Sequence, residues 1–584
     1  MSSHCNRAGT LVIALIAIVS GNDARAADTD RVTALADRYV EAYKSGFPIG
    51  YELFGLPLER SDGIDINGPD DIERWHRLNE EMASELATIR PEGLVGHAEW
   101  VTWQFLNQAL SQDRSTAVCR SELWGVSPGG WQTGLKLIAD AQPVATDQAR
   151  AQALTRWRGF GPWIDREIAN LKEGQKLGYT AAEPAVRSTL AQLDELLASP
   201  PEKSAFMDVP QRASSEAFTS EWRKAIAESL WPALARYRDY LRDQYAAGAR
   251  KTPSIAAQPG GRECYRALIF STVTIDADPD ALFDKATREI ERERAAAIEL
   301  GRKIYGDKAT DWATLSKLMR EDPREKFASS DEIRDYTQRT YERAYAAANK
   351  MLLTPPNAQV KLEPFPEFQQ KSAPGGQYLP AADDGSRIAT YYYRNVPGDL
   401  YRSSLQNVIL HETLPGHHLQ LAFLAEHGRK GNHPISRVLF FSGPGEGWAT
   451  YAETFAYELG LYDSDRDYIG QYMGSITPMM VVDLGMQVKG WTAEQAEKYL
   501  IEAMPLRSAS RARESIATIS SIPGFVLAYP LGGMEWQAMR DRAQAQLGRK
   551  FDMRAFHQAL LEDGMLPFSA LNAKLDRWIA AGGH

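Results

Sequence analysis

The sequence is poor in cysteine, in long apolar runs and in blocks of like charge. Its 584 residues contain 3 cysteines, and 76 acidic against 66 basic residues give a formal net charge of −10. Because the basic residues form no block, we expect neither nucleic acid nor an anionic membrane surface as a partner. Internal repeats and low-complexity tracts are missing too, so the composition is that of an ordinary globular protein.

The N-terminus carries the one short apolar run that resembles a targeting signal. Arg7 supplies a positive charge, residues 10–20 form the apolar run, and small residues at 24–26 form a cleavage site. The run is too short to remain as a membrane span, and no other stretch approaches 18 apolar residues. Cys5 precedes the run, which argues against lipid attachment at that cysteine. We therefore predict a signal peptide at residues 1–26 and export to the periplasm or the medium, without stable membrane insertion.

Two cysteines remain after removal of such a signal. Cys119 and Cys264 are 145 positions apart and permit only one pairing. In an oxidising compartment we expect them to form a long-range disulfide, with two buried free thiols as the alternative.

The remaining chain, residues 27–584, is long for a single domain. Amphipathic helical patterns dominate up to residue 353, and beyond it the sequence becomes rich in proline and glycine before further helices. Thr492 and Gln495 predict a capping box at the start of one of those later helices. We therefore predict a mainly α protein with a helical N-terminal lobe at 27–353 and a catalytic lobe at 354–584.

Histidine is scarce as well, with 10 in the chain, yet three fall within one short segment. The sequence HETLPGHHLQ (411–420) places His411 beside Glu412 and follows with His417 and His418. A His-Glu pair on a helix, with a further histidine downstream, is how metallopeptidases hold zinc and position a general base. Buried, hydrogen-bonded histidines are the alternative, but that interpretation suits a single histidine better than a cluster.

The spacing leaves the second metal-binding histidine open. On a straight helix, His418 returns to nearly the same face as His411, about 10.5 Å along the axis, whereas His417 lies about 120° away. Pro415 lacks the N–H that would continue the helix, and Gly416 follows it, so a kink or bulge is expected. Such a kink would shorten the gap and could bring in His417 instead.

A second carboxylate-bearing segment follows about 28 residues later. In GEGWATYAE (445–453), a Gly/Pro turn opens a predicted helix with Glu446 in its first turn and Glu453 two turns on, on the same face. A catalytic zinc takes three protein ligands and keeps one position open, which two histidines and Glu446 would satisfy. Glu412 would then act as general base for the water, and Glu453 would orient a ligand histidine. A first-turn carboxylate favoured by the helix dipole is the alternative for Glu446.

These two segments together resemble the bacterial "domain of unknown function 885" family. The resemblance continues through VVDLGM (481–486), GWTAEQA (490–496), PGFVLAY (523–529) and LPF (566–568), and so covers most of the chain. That family is similar to the helical zinc peptidases of the gluzincin type: carboxypeptidase Taq, the thimet-type oligopeptidases and angiotensin-converting enzyme. The resemblance implies a large helical gluzincin-like fold with a small β element beside a deep active-site channel.

The resemblance also implies roles for residues outside the two motifs. Tyr529 would donate a hydrogen bond to the oxyanion, with a half-buried core tyrosine as the alternative. Residues 389–394 would form a strand beside the metal helix, to whose edge an extended substrate could add, or else a hairpin covering the core. Two departures bear on activity: Gln487 stands where members commonly have histidine, and Thr518-Ile519 stand where they commonly have Arg-Tyr.

The sequence therefore predicts an exported hydrolase that holds one zinc ion per chain and cleaves the peptide bonds of short peptides. A zinc amidohydrolase acting on cell-wall or non-ribosomal peptides is an alternative, and so is a periplasmic peptide-binding protein that has kept the fold without turnover. Arg507, Arg511 and Arg513 are weaker candidates for binding a peptide carboxylate. The oligomeric state and the cleavage mode stay open.

Overall fold

The computed structural model describes residues 9–365, 370, 375–383, 385 and 387–583. Helices contain 71% of the residues and strands 3%, which confirms the prediction of a mainly α protein with a small β element. Residues 1–8 of the predicted signal peptide lie outside the described residues, and residues 9–26 belong to the backbone of the first helix.

Helices fill the first half of the chain, as the amphipathic patterns predict. They are α1 (Gly9–Gly46), α2 (Pro48–Leu53), α3 (Pro69–Leu86), α4 (Ala98–Thr116), α5 (Trp131–Ala141), α6 (Asp147–Leu177), α7 (Glu183–Leu197), α8 (Asp208–Gln211), α9 (Glu216–Lys224), α10 (Trp231–Tyr240), α11 (Gly261–Val273), α12 (Pro279–Tyr305), α13 (Trp312–Glu321) and α14 (Ser330–Ala346).

Three short strands separate these helices from a second helical series. The strands are β1 (Lys361–Pro364), β2 (Gly376–Leu379) and β3 (Thr390–Tyr393). The later helices are α15 (Arg402–Glu412), α16 (His417–His427), α17 (Ile435–Val438), α18 (Ser442–Glu458), α19 (Asp465–Tyr468), α20 (Gly470–Met473), α21 (Thr477–Val488), α22 (Ala493–Ala503), α23 (Ala509–Ser521), α24 (Ala528–Leu547), α25 (Met553–Leu561) and α26 (Phe568–Ala580).

Local sequence signals account for where individual helices begin. The capping box predicted for α22 is present, because Thr492 accepts a hydrogen bond from the Gln495 backbone and Gln495 accepts one from the Thr492 backbone. Ser329 caps α14 in the same way through the N–H of Glu332. These signals were readable in the sequence because each involves groups only three residues apart.

The buried apolar residues of the described chain form one large cluster, one smaller cluster and a third, minor one around Leu315 and Met473. The large cluster joins helices from both halves of the chain, from Val32 in α1 to Trp578 in α26. The smaller one draws its buried residues from between Ile49 and Ala249 and centres on Trp157 and Trp222. The cores therefore do not divide at residue 353, and the two-lobe division at that position stays a prediction.

The sheet corrects the predicted role of residues 389–394. They do contain a strand, β3, but β3 is central: it pairs in parallel with β1 and antiparallel with β2. Both of its hydrogen-bonding edges are filled, so the prediction that substrate adds to this strand is wrong. Among the described strands β2 is an edge, and it packs against α15.

The closest helix pairing in the fold joins α18 to α24 through glycines. A Cβ on Gly447 would lie 2.4 Å from backbone atoms of Gly532, and a Cβ on Gly532 would lie 2.1 Å from the carbonyl oxygen of Gly443. Side chains larger than hydrogen would separate the two backbones. This crossing brings the N-terminal parts of both helices together, which places Glu446 and Tyr529 on facing surfaces.

The predicted disulfide is present between Cys119 and Cys264, whose Cα atoms are 4.8 Å apart. It joins the turn after α4 to α11. No single helix of the described chain is long and apolar enough to cross a membrane. One pair, Ala509–Ser521 with Phe525–Lys550, passes that test jointly by length and composition but bends by 105°.

Replacement of Gly447 by alanine tests the helix crossing. Because the added Cβ meets backbone rather than a movable side chain, we expect a loss of about 3 kcal/mol in the free energy of unfolding. Urea unfolding followed by circular dichroism measures it. Gly134→Ala in α5 is the matched control, since a Cβ there meets nothing within 4 Å and should be neutral or slightly stabilising. Equal stability of the two variants would contradict the crossing.

Candidate metal centre

The HETLPGHHLQ segment forms two helices instead of one. Helix α15 ends at Glu412, the Leu414–Pro415 peptide bond is cis, and α16 begins at His417. Gly416 turns back so closely that a Cβ there would lie 1.7 Å from the carbonyl oxygen of His411. The kink expected at Pro415 is therefore a complete break, and the straight-helix geometry that favoured His418 does not apply.

The break brings His411 and His417 to the same place as Glu446. One side-chain donor atom from each of the three lies within 4.8 Å of the others. The Nε2 atom of His417 is 3.1 Å from Oε2 of Glu446, and the Nε2 atom of His411 is 3.6 Å from the same oxygen. The two imidazole rings are nearly perpendicular, with centroids 5.0 Å apart.

The second nitrogen of each imidazole is held by a side-chain oxygen. Nδ1 of His411 lies 2.8 Å from Oε1 of Glu453, as predicted for that carboxylate. Nδ1 of His417 lies 3.3 Å from Oε1 of Gln420, one turn further along α16. Because these oxygens accept hydrogen bonds, each Nδ1 carries a proton, which leaves Nε2 of each ring as the atom that could bind a metal ion beside Glu446.

Helix α18 supplies Glu446 from its second turn. The sequence placed Glu446 in the first turn, but the helix already begins at Ser442, so the Gly-Pro-Gly segment is helical. Trp448 fixes this helix against the break, since its indole N–H donates to the carbonyls of Pro415 and Gly416 at 3.1 and 3.3 Å. Because Glu446 lies beyond the first turn, its contacts with the two imidazoles explain its position better than the helix dipole does.

The three groups strongly influence one another's charge. Burial alone would raise the pKa of Glu446, but His417 and His411 hold that pKa at about 2. Burial alone would lower the pKa of His411, but Glu446 and Glu453 raise it well above its ordinary value. Without a cation the carboxylate therefore takes its compensating charge from protonated imidazoles, and a divalent cation could replace those protons.

Glu412 lies beside this group without belonging to it. Burial raises the pKa of its carboxyl group, and the two imidazoles act in the opposite direction. The backbone N–H of Tyr378, in β2, also lowers the pKa of this carboxyl group. Strand β2 approaches α15 this closely because Gly376 has no side chain: a Cβ there would lie 2.7 Å from Cγ1 of Val408.

Tyr529 lies on the opposite side of His411. Its ring stacks on the imidazole with centroids 6.0 Å apart. Burial, and after it the charge of Glu446, raises the pKa of its hydroxyl well above the ordinary value. The preceding turn is fixed by the buried Asp483, which accepts hydrogen bonds from the Tyr265 hydroxyl at 2.8 Å and from the Gly524 N–H at 2.7 Å. Burial raises the pKa of Asp483 to about 7.

His418 is not part of the metal-binding group, which corrects its assignment as a candidate ligand. Its Nε2 atom is 2.8 Å from the carbonyl oxygen of Ala358 and its Nδ1 atom is 3.0 Å from the hydroxyl of Tyr378. Burial lowers its pKa to about 4, so the ring is neutral. Both nitrogens are already engaged, on the face of α16 that points away from Glu446.

The other residues singled out in the sequence hold structural contacts. Gln487 accepts a hydrogen bond from the Ile255 N–H at 2.9 Å. Arg507 contacts Ser515, Arg511 pairs with Glu514, and Arg513 pairs with Glu497.

Tyr378 and Phe440 lie at the site, but no pattern in the sequence indicates either of them. Tyr378 lies in an irregular Pro/Gly-rich stretch without a periodic pattern. The Phe440 ring is 6.4 Å from that of His417.

The fold and this site define a mainly helical protein with a largely enclosed group of two histidines and one glutamate that could hold a metal ion. The chain belongs to the family described as bacterial proteins of unknown function (DUF885), whose family model matches residues 48–575. The comparison with curated proteins yields no match.

Two solved structures share the fold. The crystal structure of a candidate lipoprotein from Colwellia psychrerythraea is 22% identical, with a TM-score of 0.86 over 95% of this chain and 99% of that one. A candidate lipoprotein of unknown function from Shewanella oneidensis is 16% identical, with a TM-score of 0.69 over 92% of this chain and 98% of that one.

Metal content tests the composition of the group. We expect one equivalent of zinc in the wild type, loss of zinc in His417→Ala and Glu446→Ala, and retention in Glu412→Gln, because only the first two remove a donor atom. Glu453→Gln should weaken zinc affinity about 10- to 100-fold by freeing the His411 ring. Elemental analysis and competition with a chromogenic chelator measure these changes. Zinc retained at full occupancy in Glu446→Ala would exclude this ligand set.

Proposed function

We propose that the protein is an exported zinc-dependent hydrolase that cleaves peptide bonds in short peptides. The observation that carries the proposal is the convergence of His411, His417 and Glu446 with both imidazole tautomers fixed by hydrogen bonds. A half-buried Glu412 beside the group completes the set of residues that metal-assisted hydrolysis requires.

The distances between donor atoms fit a zinc ion. Tetrahedral zinc with bonds of about 2.1 Å holds its ligands about 3.4 Å apart. The separations from Glu446 Oε2 to Nε2 of His417 and of His411, 3.1 and 3.6 Å, lie on either side of that value. Two imidazoles and one carboxylate are also a ligand set that zinc favours. When bound, zinc would polarise the scissile carbonyl and acidify the attacking water.

Glu412 and Tyr529 supply the proton chemistry in this proposal. The Glu412 carboxylate takes a proton from the attacking water and delivers it to the leaving amine. Burial raises its pKa towards neutrality, which suits a group that must both accept and release a proton. Tyr529, whose hydroxyl lies at Glu446, donates a hydrogen bond to the oxyanion that develops on the carbonyl.

Strand β2 offers the surface for an extended substrate. It pairs with β3 on one side, and no other described strand pairs with its second side. The strand also packs against α15, and the backbone of its Tyr378 lowers the pKa of Glu412. A peptide that aligned with β2 would present its carbonyl groups to the metal centre, as in strand addition elsewhere. We propose a gluzincin-like arrangement with a deep channel on this basis.

Aromatic rings flank both imidazoles. Phe440 lies beside His417 and packs against Phe54, with ring centroids 6.3 Å apart. Tyr529 lies beside His411, and Phe525 packs against Tyr529 with ring centroids 6.1 Å apart. Such surfaces favour apolar side chains next to the scissile bond.

Export is part of the same proposal. The N-terminal sequence has the features of a signal peptide, and the two solved structures of this fold are described as candidate lipoproteins. The Cys119–Cys264 disulfide is consistent with an oxidising compartment.

Incubation of the mature protein with a mixed peptide library, analysed by mass spectrometry, tests the activity. We expect cleavage of ordinary peptides that is abolished by chelation and restored by zinc. Glu412→Gln should keep its zinc and lose at least about 100-fold in kcat, because the general base is gone. Products only from D-amino-acid or cross-linked peptides would favour the amidohydrolase, and binding without products would favour a peptide-binding protein.

Phe440→Ala tests the preference for apolar side chains. We expect kcat/KM to fall about 10-fold for peptides with a large apolar residue at the cleavage site, and to change little for peptides with alanine there. Ile501→Ala, on an exposed part of α22, is the control with no expected effect. Equal losses for large and small substrates would show that Phe440 only shapes the first turn of α18.

A further inference from the structure

His418 is buried without any exposed surface and uses both of its ring nitrogens. A backbone carbonyl can only accept, so Nε2 donates to Ala358 at 2.8 Å and carries the ring proton. The Nδ1 atom is then an acceptor and receives the Tyr378 hydroxyl at 3.0 Å. The tautomer of His418 is thus the reverse of that of His411 and His417, whose protons lie on Nδ1.

Helix α16 holds the segment around Ala358 from both sides. Glu426, two turns beyond His418, accepts hydrogen bonds from the backbone N–H groups of Asn357 and Ala358, both at 2.7 Å. His418 binds the carbonyl of the same Ala358. The segment at 357–358 is therefore held by both ends of α16, which fixes the partner of the His418 Nε2 atom and so orients Nδ1 towards the Tyr378 hydroxyl.

Tyr378 connects this anchor to the proposed general base. Its hydroxyl binds His418 at 3.0 Å, and its backbone N–H acts on Glu412, whose pKa it lowers. Its ring packs on the imidazole with centroids 5.6 Å apart. One residue of β2 thus contacts the buried histidine with its side chain and influences the proposed general base through its backbone.

We propose that His418 is a positioning residue that acts through Tyr378 to hold β2 and the Glu412 carboxylate in place for catalysis. The inference rests on the proposed function to the extent that Glu412 is the base. A positioning role explains why a second histidine directly follows His417, the proposed metal ligand. An apolar residue of similar size would leave the Ala358 carbonyl and the Tyr378 hydroxyl without partners in a buried setting.

Two substitutions break the connection from opposite ends. Tyr378→Phe removes only the hydroxyl, and His418→Gln keeps a donor for Ala358 but loses the acceptor for Tyr378. We expect each to lower kcat about 10-fold or more with unchanged zinc content, since small displacements of a catalytic group are costly. The double variant should lose no more than either single one, because both act on one bond.

Tyr345→Phe is the matched control. It removes a tyrosine hydroxyl that donates to the Asn357 carbonyl at 3.0 Å, so it loosens the same segment without touching His418. Its kcat should stay within about twofold of the wild type. A Tyr378→Phe variant as active as this control, or losses that add in the double variant, would overturn the inference.

Nitrogen NMR of protein labelled at histidine gives a readout independent of turnover. The signal assigned to His418 by its loss in His418→Gln should show the neutral Nε2–H tautomer, unchanged when zinc is added. A zinc-induced shift of His418 like that of His417 would make it a ligand and overturn the inference. Failure of the proposed function would give a different result. The wild type would then neither bind zinc nor cleave peptides, while His418 kept its Nε2–H tautomer.

Discussion

The break between α15 and α16 is the constraint on which the site depends. Gly416 lies against the His411 carbonyl at a distance that admits no side chain, so the chain leaves α15 sharply and begins a new helix at His417. The new direction turns His417 towards Glu446 and His418 towards Ala358. Trp448 binds the carbonyl groups at the break and fixes α18 relative to it.

A second constraint is the close approach of α18 and α24. Glycines at 443, 447 and 532 allow these two backbones to touch, which brings Glu446 close enough to Tyr529 to raise the pKa of its hydroxyl. Gly376 likewise allows β2 to pack closely against α15, because it has no side chain. Close backbone packing therefore sets the positions of the groups around the site, and hydrogen bonds then fix their orientation.

The hydrogen bonds that fix these orientations also offset the electrostatic cost of enclosing the ionisable groups. A buried carboxylate next to two imidazoles is unfavourable unless charges are balanced and polar atoms are paired. Glu453, Gln420, Ala358 and the Tyr378 hydroxyl provide such pairing for the three histidines. The rings are thereby fixed before any ligand binds, which is the condition for an efficient metal site.

The sequence by itself determined the features that depend on neighbouring residues: the helical class, the capping box at Thr492, and the identity of His411, Glu446 and Glu453 as groups that converge. It also limited the disulfide to one pairing. Only the tertiary structure decided between His417 and His418, placed β3 at the centre of the sheet instead of its edge, and revealed Tyr378. The physical reason is that these outcomes depend on the angle between consecutive helices and on strand order, which contacts between distant segments set.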